Sequence, residues 1–368
     1  MRSALLVGAA LALTGGPGIQ AHPPHVSARA AIVMDARNGA ILYEKNAFLQ
    51  MDPASTTKIM TALLVIEHGH LDKTVTVSRR ADRTPGSSLH IWANHQYTRL
   101  DLLRGMLLRS GNDASVALAE SDAGSIERFV AEMNVKAQQL GAFNTAYENT
   151  HGLTRPGHYS SAYDLAVISR AALAMPLFRD IVKSRQLTIT ELTRHQSRTV
   201  SNTNQLLYGF PGADGVKTGT TDAAGKCLVA SATRDHRQLI AVVLKSGDRW
   251  GDAARLLSWG FIHWQSVQAV QAGAVVTSRP VAEGNPAFIG LVTHRSLWVD
   301  VPAGGTYQTR VTVESQLSAP ISTRRRLGFV TIMVTGQPPE RAGLYASGRV
   351  RAKHPVSRFW RWLAAHRR

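Results

Sequence analysis

Cysteine is nearly absent. The 368-residue chain has one, Cys227, which excludes an internal disulfide and leaves stability to packing. Cys227 stands in KCLVASATR, an apolar run that reads as a buried strand, so core packing is its expected role rather than catalysis or metal binding. Acidic residues are scarce as well: 25 against 42 lysines and arginines, for a formal net charge of +17. Such a surplus predicts attraction to polyanions, whether nucleic acid, anionic lipid or an acidic envelope polymer. Beyond the N-terminus no apolar run reaches the roughly 20 residues that a membrane-spanning helix needs. Internal repeats, low-complexity tracts and metal-ligand spacings of His, Cys and Asp are missing too, so no cofactor is expected.

What is present begins with MRSALLVGAALALTGGPGIQA: a positive start, a short apolar run and a small residue before a polar stretch. This pattern predicts a secretory signal over 1–21, cleaved after Ala21, rather than a span, because glycines and a proline break the run. Export makes nucleic acid the least suitable of the three polyanions. The basic excess is concentrated late, since the chain carries no acidic residue from Arg341 onward.

The segment AAIVMDARNGAILYEKN reads as two strands turned at Asn38-Gly39, where both residues tolerate positive φ. Helical spacing then governs three segments. They are the one that begins PASTTKIMTALLVIEHG, the one over 99–110, and SIERFVAEMNVKAQQLG, capped by Ser125 and stopped at Gly141. Another helix follows, with Ser161 and Asp164 as a capping pair. Two strands around Asp235-His236 and a helix from about Asp252 to Trp264 complete one α+β unit over 22–266. From 267 to 345 the chain is Val-, Thr- and Gly-rich without helical periodicity, which predicts a small all-β domain. The remainder, 346–368, reads as a basic connector and a helix with Val356, Phe359, Trp360 and Leu363 on one stripe. That stripe predicts a helix lying in a membrane interface rather than crossing it, with docking on the protein's own surface as the alternative.

Three short patterns carry chemistry. In ASTTK, Ser55 and Lys58 are three apart and share a helix face. Alone the pair reads as a cap and an ordinary first-turn lysine; if Lys58 were desolvated and neutral it could take the Ser55 proton and create a nucleophile. RSGN places Ser110 and Asn112 in a break between helices, and KTGT places Lys217, Thr218, Gly219 and Thr220 on a strand. Each has a plain structural explanation. In the order SxxK, SxN, KTG they have a joint one.

With ASTTKIMTALL, GSSLHI, LLRSGNDASVALAE, NTHGL, HYSSAYDLA, NTNQLL and DGVKTGTTDAAGKCLVASA, the chain resembles the penicillin-recognising serine enzymes. It is most similar to the D-alanyl-D-alanine carboxypeptidases, the low-molecular-weight penicillin-binding proteins. The resemblance covers roughly Ala30 to Phe261. It implies an α+β domain of the serine β-lactamase/DD-peptidase type, an antiparallel sheet with a helical region, followed by the small all-β domain and the C-terminal amphipathic helix. It also implies an activity: removal of the terminal D-alanine from peptidoglycan stem pentapeptides through an acyl-enzyme, inhibited covalently by β-lactams. The enzyme would work in the periplasm, held peripherally at the outer face of the inner membrane by the C-terminal helix. Ser55 would be the nucleophile and Lys58 its base, made neutral by burial and the Lys217 charge. Ser110 would relay a proton, Asn112 would bind the substrate amide, and Lys217 and Thr218 the terminal carboxylate. The N–H groups of Ser55 and Thr220, beside Gly219, would form the oxyanion hole.

One departure concerns the segment before KTG, where some relatives carry an arginine for the carboxylate and this chain has SNTNQLL, leaving Asn202 or Asn204 as candidates. His151 reads as a turn residue. A β-lactamase would need a glutamate-activated water, for which Glu148 is the one candidate. A murein endopeptidase of the same family and a non-catalytic wall-binding scaffold are the other readings. Intact Ser55, Lys58 and Lys217 weigh against the scaffold, and the β domain with its tail favours the carboxypeptidase.

Overall fold

The structure is a computed structural model that describes residues 22–353. The expected signal segment and the C-terminal helix lie outside the described residues. The chain divides into two compact units that meet in sequence at His263 and Trp264.

The first unit opens with the expected hairpin, β1 (Ala30–Asp35) and β2 (Ile41–Lys45). A 3-10 turn, Ala54–Thr57, leads directly into α1 (Lys58–His68). Next come β3 (Thr74–Thr76), α2 (Arg79–Asp82), β4 (Gln96–Thr98), α3 (Arg99–Arg109), α4 (Asn112–Ala123) and α5 (Ile126–Gln139). They are followed by α6 (Ala162–Leu173), α7 (Pro176–Val182), β5 (Gln186–Glu191), β6 (Gln196–Ser201) and α8 (Leu206–Gly209). Three long strands, β7 (Ala213–Thr221), β8 (Gly225–Arg234) and β9 (Arg237–Ser246), precede α9 (Arg249–His263).

Ser125 caps α5 as expected, its hydroxyl accepting from the Arg128 N–H. At α6 the capping is half of a box. Ser161 accepts from the Asp164 N–H, but the Asp164 carboxylate turns away to accept from the Asn144 N–H and the Thr145 hydroxyl. Helix α9 starts three residues before the expected Asp252. That side chain is instead a buried anchor for the segment leading into β1, accepting from the Ser27 N–H and hydroxyl and the Ala28 N–H.

An antiparallel sheet in the order β2-β1-β9-β8-β7 forms the frame. Its closure is long-range: β1, near the start of the unit, pairs with β9, near its end, from Ala30↔Leu244 to Asp35↔Leu239. Strands β8 and β9 turn at Asp235 and His236, both with positive φ (47° and 62°), as a two-residue hairpin requires. Their central residues are buried on both faces, with α6 and α9 packed against β9. This double cover explains the continuous apolar runs. Cys227 is fully buried in β8. Helix α1 is buried nearly all round and touches α3, α4, α5, α6 and α7. A second small sheet runs β3-β4-β5-β6. Strand β7 is the edge of the large sheet, and that exposed edge faces the serine turn.

The second unit is all β. It contains β10 (Trp264–Val270), β11 (Val275–Ala282), β12 (Gly284–Asn285), β13 (Phe288–Val292), β14 (Leu297–Pro302) and β15 (Gln308–Val313). The remaining strands are β16 (Leu317–Ser318), β17 (Arg326–Met333), β18 (Glu340–Ala346) and β19 (Arg351–Ala352). A six-stranded sheet, β15-β17-β18-β13-β11-β16, accompanies the pairs β10-β14 and β12-β19 around a core that includes Leu291, Leu297, Leu327, Val330 and Leu344. Strand pairing spans Trp264 to Ala352, wider than the 267–345 expected from composition. Arg351 and Ala352 pair with Asn285 and Gly284 through backbone alone, which basic side chains do not announce.

Candidate active site

Ser55 stands in the 3-10 turn ahead of α1, so its hydroxyl and the Lys58 amine project together. The Lys58 Nζ is 3.0 Å from the Ser55 Oγ, 2.6 Å from the Asn112 Oδ1 and 2.8 Å from the His151 carbonyl oxygen. Lys58 is fully buried. Its pKa is held well below the ordinary lysine value, first by burial and then by the Lys217 charge, with Asp113 opposing. A neutral amine has two N–H donors and one lone pair. With Asn112 and His151 accepting those two donors, the lone pair of the neutral form would be the group left to meet the Ser55 hydroxyl.

Asn112 begins α4. Its Nδ2 donates to the Pro85 carbonyl at 2.7 Å, which fixes the amide orientation and turns Oδ1 to Lys58. Both ends of the side chain are therefore engaged, and Asn112 does not line the groove next to Ser55. Through Oδ1, Asn112 positions the lysine. Ser110 takes the left-handed conformation (φ 68°) at the end of α3 and lines the groove with Ser55. Among the described residues its hydroxyl has no hydrogen-bond partner and is free to meet one.

Two segments without expected roles hold these groups in place. The Asp113 carboxylate, buried at the start of α4, accepts from the backbone N–H of Leu89 and Ile91 and from the Ser88 hydroxyl. It thereby ties the GSSLHI loop over the helix break. The NTHGL loop presses on the serine turn from the other side: a Cβ on Gly152, at φ +91°, would lie 1.8 Å from the Ala54 carbonyl oxygen, so only glycine fits. His158 secures the same turn. Its Nδ1 accepts from the Glu148 N–H, so Nε2 carries the proton and donates to the Thr57 hydroxyl at 2.9 Å. Burial lowers its pKa to about 4. His151, expected as a turn residue, is lowered to about 3 by burial, with Lys58 and His158 adding. It serves through its backbone carbonyl.

Strand β7 forms the opposite wall. A Cβ on Gly219 would lie 3.0 Å from the Ser55 nitrogen, so glycine here keeps that N–H open. Lys217 is buried beneath the strand, with its pKa lowered to about 7 by burial and by the Arg249 charge. The Thr218 hydroxyl pairs with that of Thr203 at 2.8 Å, and both residues line a groove of about 370 Å³ with Ser55, Ser110, Gly219 and Thr220.

Asn202 and Asn204 do not reach this groove. Asn202 donates to the Val182 and Ser184 carbonyls, and Asn204 to that of Gly215. The cation at the groove that the sequence reading missed is Arg249, the first residue of α9. It lines the groove and donates to the Gly219 carbonyl at 2.9 Å and the Thr220 hydroxyl at 2.8 Å. Among the described residues its Nε is buried without a partner. No local motif marks it, because it arrives from beyond two strands. Glu148 lines a different cavity, which places the β-lactamase candidate outside the serine groove. Among the described residues no group of three or more His, Cys, Asp or Glu is gathered as for a metal ion.

A serine beside a buried lysine whose pKa is depressed, facing a groove wall of Thr218, Gly219, Thr220 and Arg249 along an antiparallel sheet edge, is the arrangement of a serine acyl-transfer enzyme. Comparison with known proteins narrows the class. The profile of the family described as D-alanyl-D-alanine carboxypeptidase matches residues 18–247, and that of the penicillin-binding protein 5 C-terminal domain matches residues 264–352. D-alanyl-D-alanine carboxypeptidase DacF of Bacillus subtilis is 34% identical over 84% of this chain and 82% of its own length. DacC of Escherichia coli is 33% identical over 92% and 88%. Penicillin-binding protein 5 of Haemophilus influenzae superposes with a TM-score of 0.78 at 31% identity, covering 90% of this chain and 99% of that one. The chain belongs to the D-alanyl-D-alanine carboxypeptidase family of serine peptidases.

Proposed function

We propose that this protein removes the terminal D-alanine from peptidoglycan stem pentapeptides through an acyl-enzyme on Ser55, and that penicillins acylate the same residue. The observation that carries the reading is the buried Lys58 amine 3.0 Å from the Ser55 hydroxyl, with its other polar contacts saturated by acceptors. Neutral Lys58 takes the Ser55 proton as Oγ attacks the carbonyl of the penultimate D-alanine. The N–H groups of Ser55 and Thr220 receive the developing oxyanion, each such donor being worth about 3 to 4 kcal/mol in acyl transfer. Lys217, Thr218 and Arg249 hold the terminal carboxylate by charge-assisted contacts. Ser110, at the groove wall, passes the proton to the departing D-alanine amine, and water then attacks the ester with Lys58 again as base.

Export to the periplasm and peripheral attachment to the outer face of the inner membrane through residues 355–368 complete the proposal. They rest on the leader pattern and the apolar stripe of the tail. Deleting 355–368 should move the protein from the membrane fraction to the soluble one; unchanged fractionation argues against an anchor. For the activity, the test is release of free D-alanine from a pentapeptide together with labelling by a fluorescent penicillin, each repeated with Ser55→Ala. Both signals should vanish in the variant. Cross-link cleavage without D-alanine release would indicate an endopeptidase, and rapid penicillin turnover a β-lactamase.

A further inference from the structure

We propose that a second cavity, next to the serine groove, binds a carboxylate-bearing peptide arm on the N-terminal side of the scissile D-Ala-D-Ala. The inference rests on the proposed function and adds a specificity site to it. The cavity measures about 850 Å³, more than twice the serine groove. Four arginines, Arg79, Arg80, Arg83 and Arg155, line it, opposed by Glu127 and Glu148. Arg80 is taken by Glu127 at 3.0 Å. Among the described residues Arg79, Arg83 and Arg155 form no ion pair with a carboxylate. The apolar part of the wall, Val116, Ile126 and Val130, suits the aliphatic portion of a peptide. Cationic groups above apolar surface match an extended ligand that alternates alkyl segments with carboxylates.

Direction along β7 connects the two sites. Lys217 and Thr218 mark the carboxylate end and Thr220 the scissile carbonyl, so the substrate's remaining arm continues toward Thr221. There the Thr221 hydroxyl pairs with that of Thr154 at 2.9 Å, and Thr154, Leu153 and Arg155 line the second cavity. On the facing side the chain crosses from Thr84 and Pro85 in the second cavity to Gly86 and Ser87 in the serine groove. The Leu153 side chain stands beside Gly86 at this passage, 3.4 Å from the position a Cβ there would take. A peptide leaving Ser55 along the strand therefore has a ridge to cross and a basic basin beyond it.

The test compares three substrates that share D-Ala-D-Ala. They are diacetyl-L-Lys-D-Ala-D-Ala, the pentapeptide L-Ala-γ-D-Glu-L-Lys-D-Ala-D-Ala, and the same pentapeptide with the glutamate α-carboxylate amidated. The wild-type kcat/KM should be about tenfold higher for the acidic pentapeptide than for the amidated one, as expected for a charge-assisted contact. Raising ionic strength should narrow that gap. The double variant Arg83→Ala/Arg155→Ala should equalise the two pentapeptides while leaving the diacetyl tripeptide and the penicillin acylation rate unchanged. Equal rates on both pentapeptides in the wild type would overturn the inference, as would a variant that loses all three substrates together. No D-alanine release from any substrate and no Ser55 adduct would instead overturn the function on which it rests.

Discussion

The two units solve different problems with their interiors. The β unit buries Leu291, Leu297, Leu327, Leu344 and similar side chains, and among its described residues the buried polar groups are Thr293 and Asp300. The first unit buries two lysines, Lys58 and Lys217, together with Asn112, Asp113 and Asp164. Burying an ammonium is expensive in folding free energy, and its pKa falls until the neutral form competes. A chain that stacks two such groups within one site accepts lower stability to hold an amine ready as a base. The β unit faces no such demand and is built as an apolar core between sheets.

The largest test of this contrast is Lys58→Met. Losing the base should slow penicillin acylation by about 10²- to 10⁴-fold, measured by stopped-flow labelling, with the β unit's hydrogen-exchange protection unchanged. Conversely, Leu344→Ala should cost the β unit about 2 to 5 kcal/mol in a denaturant titration while the acylation rate of the folded protein stays the same. A change in acylation would mean that the two interiors are not separable.

The contrast also predicts opposite responses to pH. Lys217 has a folded pKa of about 7 against an ordinary value of 10.5. Below pH 7 both folded and unfolded states carry the proton, and the folded state bears the full cost of the buried charge. Between about 7 and 10.5 the folded state releases its proton first, so the first unit should gain stability as pH rises through that window. Activity should move the other way, because uncharged Lys217 grips a carboxylate less well: kcat/KM for D-alanine release should fall above pH 7. Lys217→Met should make that rise shallower, read as the midpoint of heat inactivation of penicillin labelling, with the remaining slope due to Lys58, whose pKa is also depressed; an unchanged rise would assign it wholly to other groups. The smallest effect expected is that of Ser125→Ala, which removes the α5 cap and should cost about 1 kcal/mol without touching acylation.

Local signals were legible and convergent ones were not. The hairpin at Asn38-Gly39, the Ser125 and Ser161 caps and the strand carrying Lys217 could be read because turn and cap chemistry involves residues a few positions apart. Arg249 escaped because it comes to the groove from the helix beyond β8 and β9, and the reading looked for its charge before KTG. The His151 carbonyl escaped because every residue has one and no side chain advertises its use. Asn202 and Asn204 looked like candidates by proximity to the motif, yet their amides hold backbone carbonyls. Strand β19 lay in a basic stretch that reads as a connector, since edge pairing uses backbone groups that composition does not encode.

The sequence by itself determined that a hydroxyl and an amine share one turn at the head of an apolar helix, and that a lysine-threonine-glycine strand lies near a hairpin. Only the tertiary structure decided the charge on that amine. Its protonation depends on how completely water is excluded and on how near a second lysine, distant in the chain, is brought by the sheet edge. Neither quantity exists until the segments have packed.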